Sequence, residues 1–422
     1  MNVSRYQDVS ESIARWALVG IFLLFPIKTS ASNVLLALML LAWVLAGQYR
    51  KRWTDIRRHP ITLPALAMYG LVVLGITYSP ADFSQIANHL NKYSKFLIML
   101  ICLSLLTETV WRERCRKAFM YAMTFVVLST YANVWVQLPW SVTQTPGWGA
   151  DHTVVKDYIF QGICTVLFVL MAWSEALRAP QRLAKYFWGG ASVLAGFSCV
   201  YLLSGRTGML ALGMALVVYV LTLIRGRSKW VAAMGVVVLF ILAVTLPGTA
   251  KTRLNQALQE VQQYQQLTQP GAIATESTSI GARLMMWELS LQEISKRPLL
   301  GAGTASYHQL AEDRLQDAAA CAVACVHPHN QFLFFGVEYG LVGMLIFGFY
   351  FVSAGRHAAR LSPLLKATTL GFLAIFLADS LVHGSMWLSG EQHLFTYMLA
   401  LWMSYPASQA PSDQSSSTRL AG

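Results

Sequence analysis

The sequence predicts an all-α polytopic membrane protein of about twelve transmembrane helices, with one large helical loop between helices 9 and 10. Three observations lead there. Of 422 residues, 55% are hydrophobic and only 12% charged, and the mean hydropathy is +0.47, whereas soluble domains carry roughly 25% charged residues. Apolar stretches close to the ~20 residues that cross a bilayer recur along most of the chain. The basic residues behind the net charge of +12 gather in alternate connections. A soluble globular enzyme and a disordered chain are excluded by composition alone.

The stretches are 13–30, 32–48, 61–79, 93–107, 118–139, 157–176, 186–204, 207–224, 230–248, 331–354, 362–382 and 393–407, the fourth and twelfth being short. An even number puts both termini on one side. After the second come Arg50, Lys51, Arg52, Arg57 and Arg58; after the fourth, Arg112, Arg114, Arg116 and Lys117. The sixth is followed by Arg178, Arg182 and Lys185, the eighth by Arg225, Arg227 and Lys229, the tenth by Arg356 and Arg360. The intervening short connections hold little beyond Lys28, Lys92, Lys95, Lys156 and Arg206. Basic residues stay on the cytoplasmic side, so the even-numbered ends are cytoplasmic. The +12 therefore reports orientation, and no nucleic-acid partner follows from it.

Residues 16–27, followed by small residues at 29–32, have the look of a signal peptide, but Asp8 and Glu11 dilute the basic region and many spans follow, so a retained span is expected. The chain then divides into spans 1–9 over 1–248, an outer loop over 249–329, spans 10–12 over 330–407, and a Ser/Gln-rich disordered cytoplasmic tail over 408–422.

The loop is far longer than a connector, so it is expected to fold and to carry function. Leu254, Leu258 and Val261 recur at helical spacing with Gln and Glu opposite, the pattern of a helix lying on a membrane surface. A second helix is expected from near Gly281 to Lys296, with Leu284, Trp287, Leu291 and Ile294 on one face. Pro298 ends it, and Gly301-Ala302-Gly303 makes a tight turn.

Several residues are out of place for a membrane protein. Arg206 is the sole charge between Lys185 and Arg225, in Ser204-Gly205-Arg206-Thr207-Gly208, on the side that other basic residues avoid. It is either an interfacial arginine whose stem snorkels or an anion-binding one, set between glycines that admit a phosphate. Arg283 stands at the start of the second loop helix, where amide N–H groups favour anions. His327-Pro328-His329-Asn330 precedes the tenth span; histidine suits proton transfer near neutral pH, and Asn330 can cap the helix. The spacing of the pair also suits half of a metal site, but no cluster of standard ligand spacing completes it. His383 and His393 flank the last outer loop. Glu338 and Asp379 fall within spans, where carboxylates are functional candidates; for Glu338 a packing partner such as Tyr or Arg is the preferred reading. No Asp-x-Asp pair, which a metal-dependent sugar transferase would want, occurs in an outer loop. Cys102, Cys115, Cys164 and Cys199 read as packing residues, whereas Cys321 and Cys325 lie where a disulfide would stiffen the approach to His329.

Three motifs then carry a resemblance. His329-Asn330, nine residues, Gly340, two residues, Gly343 resembles the signature of O-antigen ligases. Arg283-Leu284-Met285-Met286-Trp287, with Pro298-Leu299-Leu300-Gly301-Ala302-Gly303-Thr304-Ala305-Ser306-Tyr307, resembles the core shared by O-antigen ligases and polymerases, as does Ser204–Gly208. Together they cover roughly residues 190–345. The resemblance implies a GT-C type glycosyltransferase of the bacterial inner membrane, inverting and metal-independent, with its active site facing the periplasm and no cofactor. It implies transfer of a glycan from undecaprenyl diphosphate to lipid A–core, with His329 as base, Arg206 and Arg283 on the diphosphate, and Asn330, His327, Gly301, Gly303 and Tyr307 in support. Its partners would be these two lipids and the surrounding membrane lipids.

The chemistry fits the residue types. A lipid diphosphate leaves as a stabilised anion, which two guanidinium forks serve without a metal. A sugar hydroxyl needs a base as it attacks. Alternatives of the same superfamily are a polymerase, whose outer mass is generally split between two loops, and a protein O-oligosaccharyltransferase. A lipid-linked glycan transporter is the alternative from another class, but paired repeats and midplane broken helices are not evident in the sequence.

Overall fold

The computed structural model describes residues 3–246, 248–267, 279–315, 321 and 324–407. The expected tail at 408–422 and the middle of the long loop, 268–278, lie outside the described residues. Among the described residues the regular structure is helical, with no strand. In chain order the helices are α1 (Val3–Leu24), α2 (Thr29–Ala46), α3 (Tyr49–Ile56), α4 (Thr62–Gly75), α5 (Phe83–Tyr93), α6 (Lys95–Leu105), α7 (Thr109–Ala132), α8 (Tyr158–Arg178) and α9 (Arg182–Tyr201). They continue as α10 (Arg206–Leu223), α11 (Ser228–Thr245), α12 (Thr249–Leu267), α13 (Ser279–Lys296), α14 (Ser306–Leu315), α15 (Gln331–Ala358), α16 (Pro363–Val382) and α17 (Ser389–Met403).

Six of these, α2, α8, α10, α11, α15 and α16, are long and apolar enough to cross a membrane. Their surfaces explain why. The apolar window of α11 has a mean hydropathy of 2.0 with 6% of its residues buried, and Val231, Met234, Leu239 and Leu242 point outward. On α2, Val34, Leu38, Leu41 and Leu45 do the same. Such faces are unfavourable in water and at home in hydrocarbon. The chain is a multi-pass membrane protein.

Each remaining apolar stretch also falls on a helix, with boundaries that differ for physical reasons. The first begins at Val3, because Glu11 and Arg15 are neutralised in place: Arg15 reaches Glu108 at 2.6 Å and Arg52 reaches Glu11 at 3.3 Å. The stretch at 93–107 is helical only over the 11 residues of α6, about 16 Å at 1.5 Å per residue and half a hydrocarbon core. Before it, across Ser94, comes α5, whose buried face carries Ile86, His89 and Tyr93. The stretch at 118–139 stops being helical after Ala132, and the segment to Asp157 folds on itself through Thr143 N–H to Thr153 O (3.1 Å) and Val142 N–H to Val154 O (3.2 Å). The loop helix expected from Gly281 is α13, and the expected surface helix is α12; α14 was not foreseen.

Charge segregates along the bundle. At one end Arg112 donates to the carbonyls of Thr107 (2.7 Å) and Ser404 (3.2 Å), and Arg116 pairs with Glu113 and Glu175, each at 2.6 Å. The two arginines belong to the connection after the fourth apolar stretch, and Glu175 and Ser404 lie near the ends of the sixth and twelfth. At the other end meet the N-termini of α10, α15 and α17 and the helices of the long loop.

One device fixes that second end. α15 breaks at Gly340, with φ 62° and ψ −157°. The break frees the carbonyls of Val337 and Glu338, which accept from Ala302 N–H and Gly303 N–H, both at 2.8 Å. In return Leu341 N–H and Val342 N–H donate to Pro298 O (2.8 Å) and Leu299 O (3.3 Å). Residues 298–305 thus form a strap laid into the broken helix, and Thr304 ties the strap to α4 through Val72 O at 2.6 Å. The glycines are required by space: a Cβ at Gly340 would lie 2.4 Å from the Leu299 carbonyl, and one at Gly301 would lie 2.5 Å from the Tyr339 amide. Gly340→Ala should therefore destabilise the protein by about 2 kcal/mol or more through strain and lost strap bonds. Gly348→Ala, on the same helix with open space around it, should be neutral or slightly stabilising. Thermal unfolding of both variants in detergent checks the contrast.

Candidate functional site

Residues 327–330 cross from the loop into α15. Asn330 is the N-cap: its side-chain oxygen accepts from Leu333 N–H at 3.0 Å, and its amide donates to Leu381 O at 3.0 Å on α16. His329, immediately before the cap, is held in the left-handed region at φ 49°, and its own N–H donates to His327 Nδ1 at 3.1 Å. The turn aims both imidazoles at His383, which follows α16. Ring centroids are 4.2 Å apart for His327–His329, 5.3 Å for His329–His383 and 6.0 Å for His327–His383.

Two carboxylates back this cluster. Asp379, one turn earlier on α16, lies 3.6 Å from His383 Nδ1, and Glu391 on α17 lies 3.8 Å from it. Glu391 continues to Lys156 Nζ at 3.2 Å. Lys92 on α5 donates to Trp387 O at 2.9 Å and sits 3.9 Å from the centre of that indole. His89 Nε2 lies 2.8 Å from Glu338, whose carboxylate also accepts from Ala305 N–H of the strap at 3.0 Å.

Arg206 is the first residue of α10, one position inside the helix instead of in the hairpin. Its hairpin is pinned by Ser204 N–H to Asp151 at 3.0 Å, and a Cβ at Gly205 would lie 2.9 Å from Tyr158 O. Glu260 of α12 holds one nitrogen of Arg206 at 3.1 Å and accepts from Ile280 N–H, in the first turn of α13, at 2.9 Å. The other terminal nitrogen of Arg206 is buried without a partner among the described residues, as is His329 Nδ1. Arg283, half-buried on α13, makes no ion pair among the described residues. It lies close enough for its charge to act on all three histidines and to feel that of Arg206.

The electrostatic consequences are sharp. Burial first, then the neighbouring His327, His383 and Arg283, push His329 down to about 2. Burial, His383, Lys92 and Arg283 push His327 down to about 3. For His383 burial works in the same direction, but Asp379 and then Glu391 outweigh it and its pKa is raised. Burial and then Arg206 lower Arg283. The site therefore holds two neutral imidazoles, one imidazole biased toward its charged form, and a guanidinium with no counter-ion of its own among the described residues. Among the described residues no three His, Cys, Asp or Glu side chains are grouped as metal ligands.

The structure brings His329, His327, Asn330, Arg283 and Arg206 to one end of the bundle. Gly301 and Gly303 are there as parts of the strap, which is more than the tight turn expected. Tyr307 is buried and donates to Ala324 O at 3.0 Å, so it anchors the chain that leads into His327. Cys321 and Cys325 form a disulfide beside it. Glu338 faces His89, a partner that was not expected, and it also interacts with tyrosines, Tyr93 and Tyr339, as expected. Sequence reasoning missed His89, Lys92, Lys156, Glu260 and Glu391. A signal existed for two of them: Lys92 and Lys156 are on the short roll of outer-side basic residues from which only Arg206 was pursued.

Residues 191–348 match the family model described as O-antigen ligase. That stretch contains Arg206, Arg283, His327, His329 and the glycines of the strap and of the α15 break, so the resemblance carried by those motifs is borne out. No curated protein matches the chain.

Two neutral buried histidines set a pH dependence. Their folded pKa values lie below the ordinary 6.5, so the stability they allow is complete above about pH 6.5 and is lost as pH falls below it. His383, raised, contributes with the opposite sign. Two imidazoles act in the first sense and one in the second, so the apparent melting temperature in detergent should fall from about pH 6.5 to about 4.5. His327→Asn/His329→Asn should flatten that fall; a double variant as acid-sensitive as the parent would mean that the two imidazoles are solvated. Peptide mapping without reduction should recover Cys321 and Cys325 as one bridged peptide.

Proposed function

We propose that the protein is an inverting, metal-independent glycosyltransferase that moves O-antigen glycan from undecaprenyl diphosphate to a hydroxyl of lipid A–core, at the periplasmic face of a bacterial inner membrane. One observation carries the reading. A neutral imidazole, His329, faces the field of Arg283, which has no acidic partner among the described residues, while a second arginine, Arg206, is held by Glu260 with one nitrogen unpartnered among them.

The roles follow from charge. The diphosphate is drawn to Arg283 and to the free side of Arg206, at the N-terminus of α10, where the helix dipole also favours anions. Glu260 keeps Arg206 extended and fixes the start of α13, so donor binding need not order either group. His329, unprotonated at any physiological pH, takes the proton of the acceptor hydroxyl as its oxygen attacks the anomeric carbon. The bond from that carbon to the diphosphate oxygen breaks, and the electron pair leaves with undecaprenyl diphosphate, whose charge the two guanidinium groups receive. An imidazole held this low is a weak base in the free enzyme. The incoming diphosphate opposes the field of Arg283 and raises it, so base strength rises when donor is bound. The His383–Asp379–Glu391 group lies beside His329 and provides an onward site for the proton. Attack from the face opposite the leaving group inverts the anomeric centre.

The match over residues 191–348 suits a polymerase equally, and the two differ only in acceptor. Reconstitution with synthetic undecaprenyl-diphosphate-linked sugar and purified rough lipopolysaccharide separates them: glycan on lipopolysaccharide supports the proposal, and lengthened lipid-linked glycan supports polymerisation. In that assay His329→Ala should lower kcat by roughly 10²–10⁴. Arg283→Ala should lower it by about 10²–10³, the typical effect of losing one preorganised charge donor. EDTA should change neither rate nor product. A purified His329→Ala enzyme with parental kcat would remove the assigned base.

A further inference from the structure

A cavity of about 360 Å³ opens between α2, the α5–α6 junction and the start of α17. None of these elements carries Arg206, Arg283 or Glu260. Lys92 and Lys95 line it, and no carboxylate does. Lys95 is 7% exposed and makes no hydrogen bond or ion pair among the described residues. An ammonium held that deep needs a counter-charge, because the cost of burying it alone is several kcal/mol. Around the two lysines stand amides, among them Asn88 and Asn91 of α5 and Gln392 of α17. One wall is different: Leu36, Ala37 and Leu40 belong to α2, a helix whose outer face is apolar.

Cationic floor, amide rim and hydrocarbon-facing wall together describe an amphiphile with a phosphorylated head. One lining residue ties the cavity to the segment that holds a histidine of the cluster. Lys92 lines it while donating to Trp387 O, at 2.9 Å, in the turn that carries His383.

We propose that this cavity seats the phosphorylated head of the acceptor lipid, with Lys95 and Lys92 on a phosphate, the amides on sugar hydroxyls and an acyl chain along Leu36 and Leu40. The identity of that lipid as acceptor rests on the transfer proposed above. The donor and the acceptor would then reach His329 from separate sets of helices, which suits a displacement whose nucleophile and leaving group must be on opposite faces of one carbon.

The test reads binding apart from transfer. The full chain, with a benzophenone amino acid replacing Leu40, is placed in phosphatidylcholine nanodiscs and irradiated with radiolabelled bisphosphorylated lipid A. Labelling should be strong, and should drop about tenfold or more with dephosphorylated lipid A or in Lys95→Gln, the loss of one charge-assisted hydrogen bond. Lys95→Arg should restore it. In the transfer assay Lys95→Gln should raise the KM for rough lipopolysaccharide and leave the KM for the donor as it was. Labelling indifferent to the phosphates and to Lys95 overturns the proposal. So does displacement by inorganic phosphate, which would mark a free-anion site, or equal competition by phosphatidylglycerol, which would mark a structural lipid. Labelling that obeys the expected rules without any transfer to lipopolysaccharide would overturn the acceptor assignment and the transferase reading while retaining a phosphorylated-lipid site.

Discussion

Four backbone groups lose their helical partners where α15 breaks, and the rest of the site depends on how they are satisfied. Away from water each unpaired group costs about 1–3 kcal/mol, and more in hydrocarbon. The strap at 298–305 pairs all four: Ala302 and Gly303 donate, Pro298 and Leu299 accept. A stretch of irregular chain is thereby tolerated inside a bundle of helices, and the first part of α15 becomes a short, rigid arm. His329 and Asn330 stand at the head of that arm. Ala305, at the end of the strap, donates to Glu338, and Glu338 faces His89 of α5. The same exchange that permits the kink thus also sets where α5 lies, and with it Lys92.

Around that frame the charges are arranged by imbalance. Arg206 has Glu260, Lys156 has Glu391, and His383 has Asp379 and Glu391. Arg283 and Lys95 have no carboxylate among the described residues. Their positive fields fall on the histidines and on the lysine-lined cavity respectively. Charges left over in this way are expensive at the edge of a membrane. Retaining them makes physical sense where anionic groups arrive from outside the chain, and both substrates of the proposed reaction carry phosphate.

The legible part of the fold was its periodicity. Each of the twelve apolar stretches falls on a helix, and six of those helices have the length and composition that burial in lipid imposes. The illegible part was wherever a tertiary partner altered the local rule. Glu11 reads as a diluting charge in the sequence, yet it lies inside α1 with Arg15, since Arg52 and Glu108 neutralise the two. Lys95 begins a helix too short to span, following an amphipathic α5 that the apolar pattern does not mark. Within the site, Arg206, Arg283 and His329 were visible as anomalies: a charge where charges are scarce, a cation at a helix start, a paired histidine at a re-entry point. Glu260 and Glu391 were not visible, because a carboxylate in a polar loop or at a helix start is unremarkable until the structure shows which cation it faces.

Glu260 shows what such a residue adds. Bound to Arg206 alone it would compete with an incoming anion. Bound also to the N–H of Ile280, it shares one oxygen between the helix start (2.9 Å) and the guanidinium (3.5 Å) and meets the guanidinium more closely, at 3.1 Å, through the other. Arg206 is then oriented without being neutralised from both sides, and its second nitrogen stays directed elsewhere. The contact joins α10 to α12 and to the first turn of α13, the helix that carries Arg283. A single carboxylate therefore fixes the relative placement of two arginines that repel each other, at a spacing neither could hold alone. In the proposed reaction the diphosphate would relieve that repulsion, so donor binding gains both the attraction of two cations and the release of the strain between them. The same gain would be lost on removing Glu260, through a slackened arginine pair, although the carboxylate need never touch the donor.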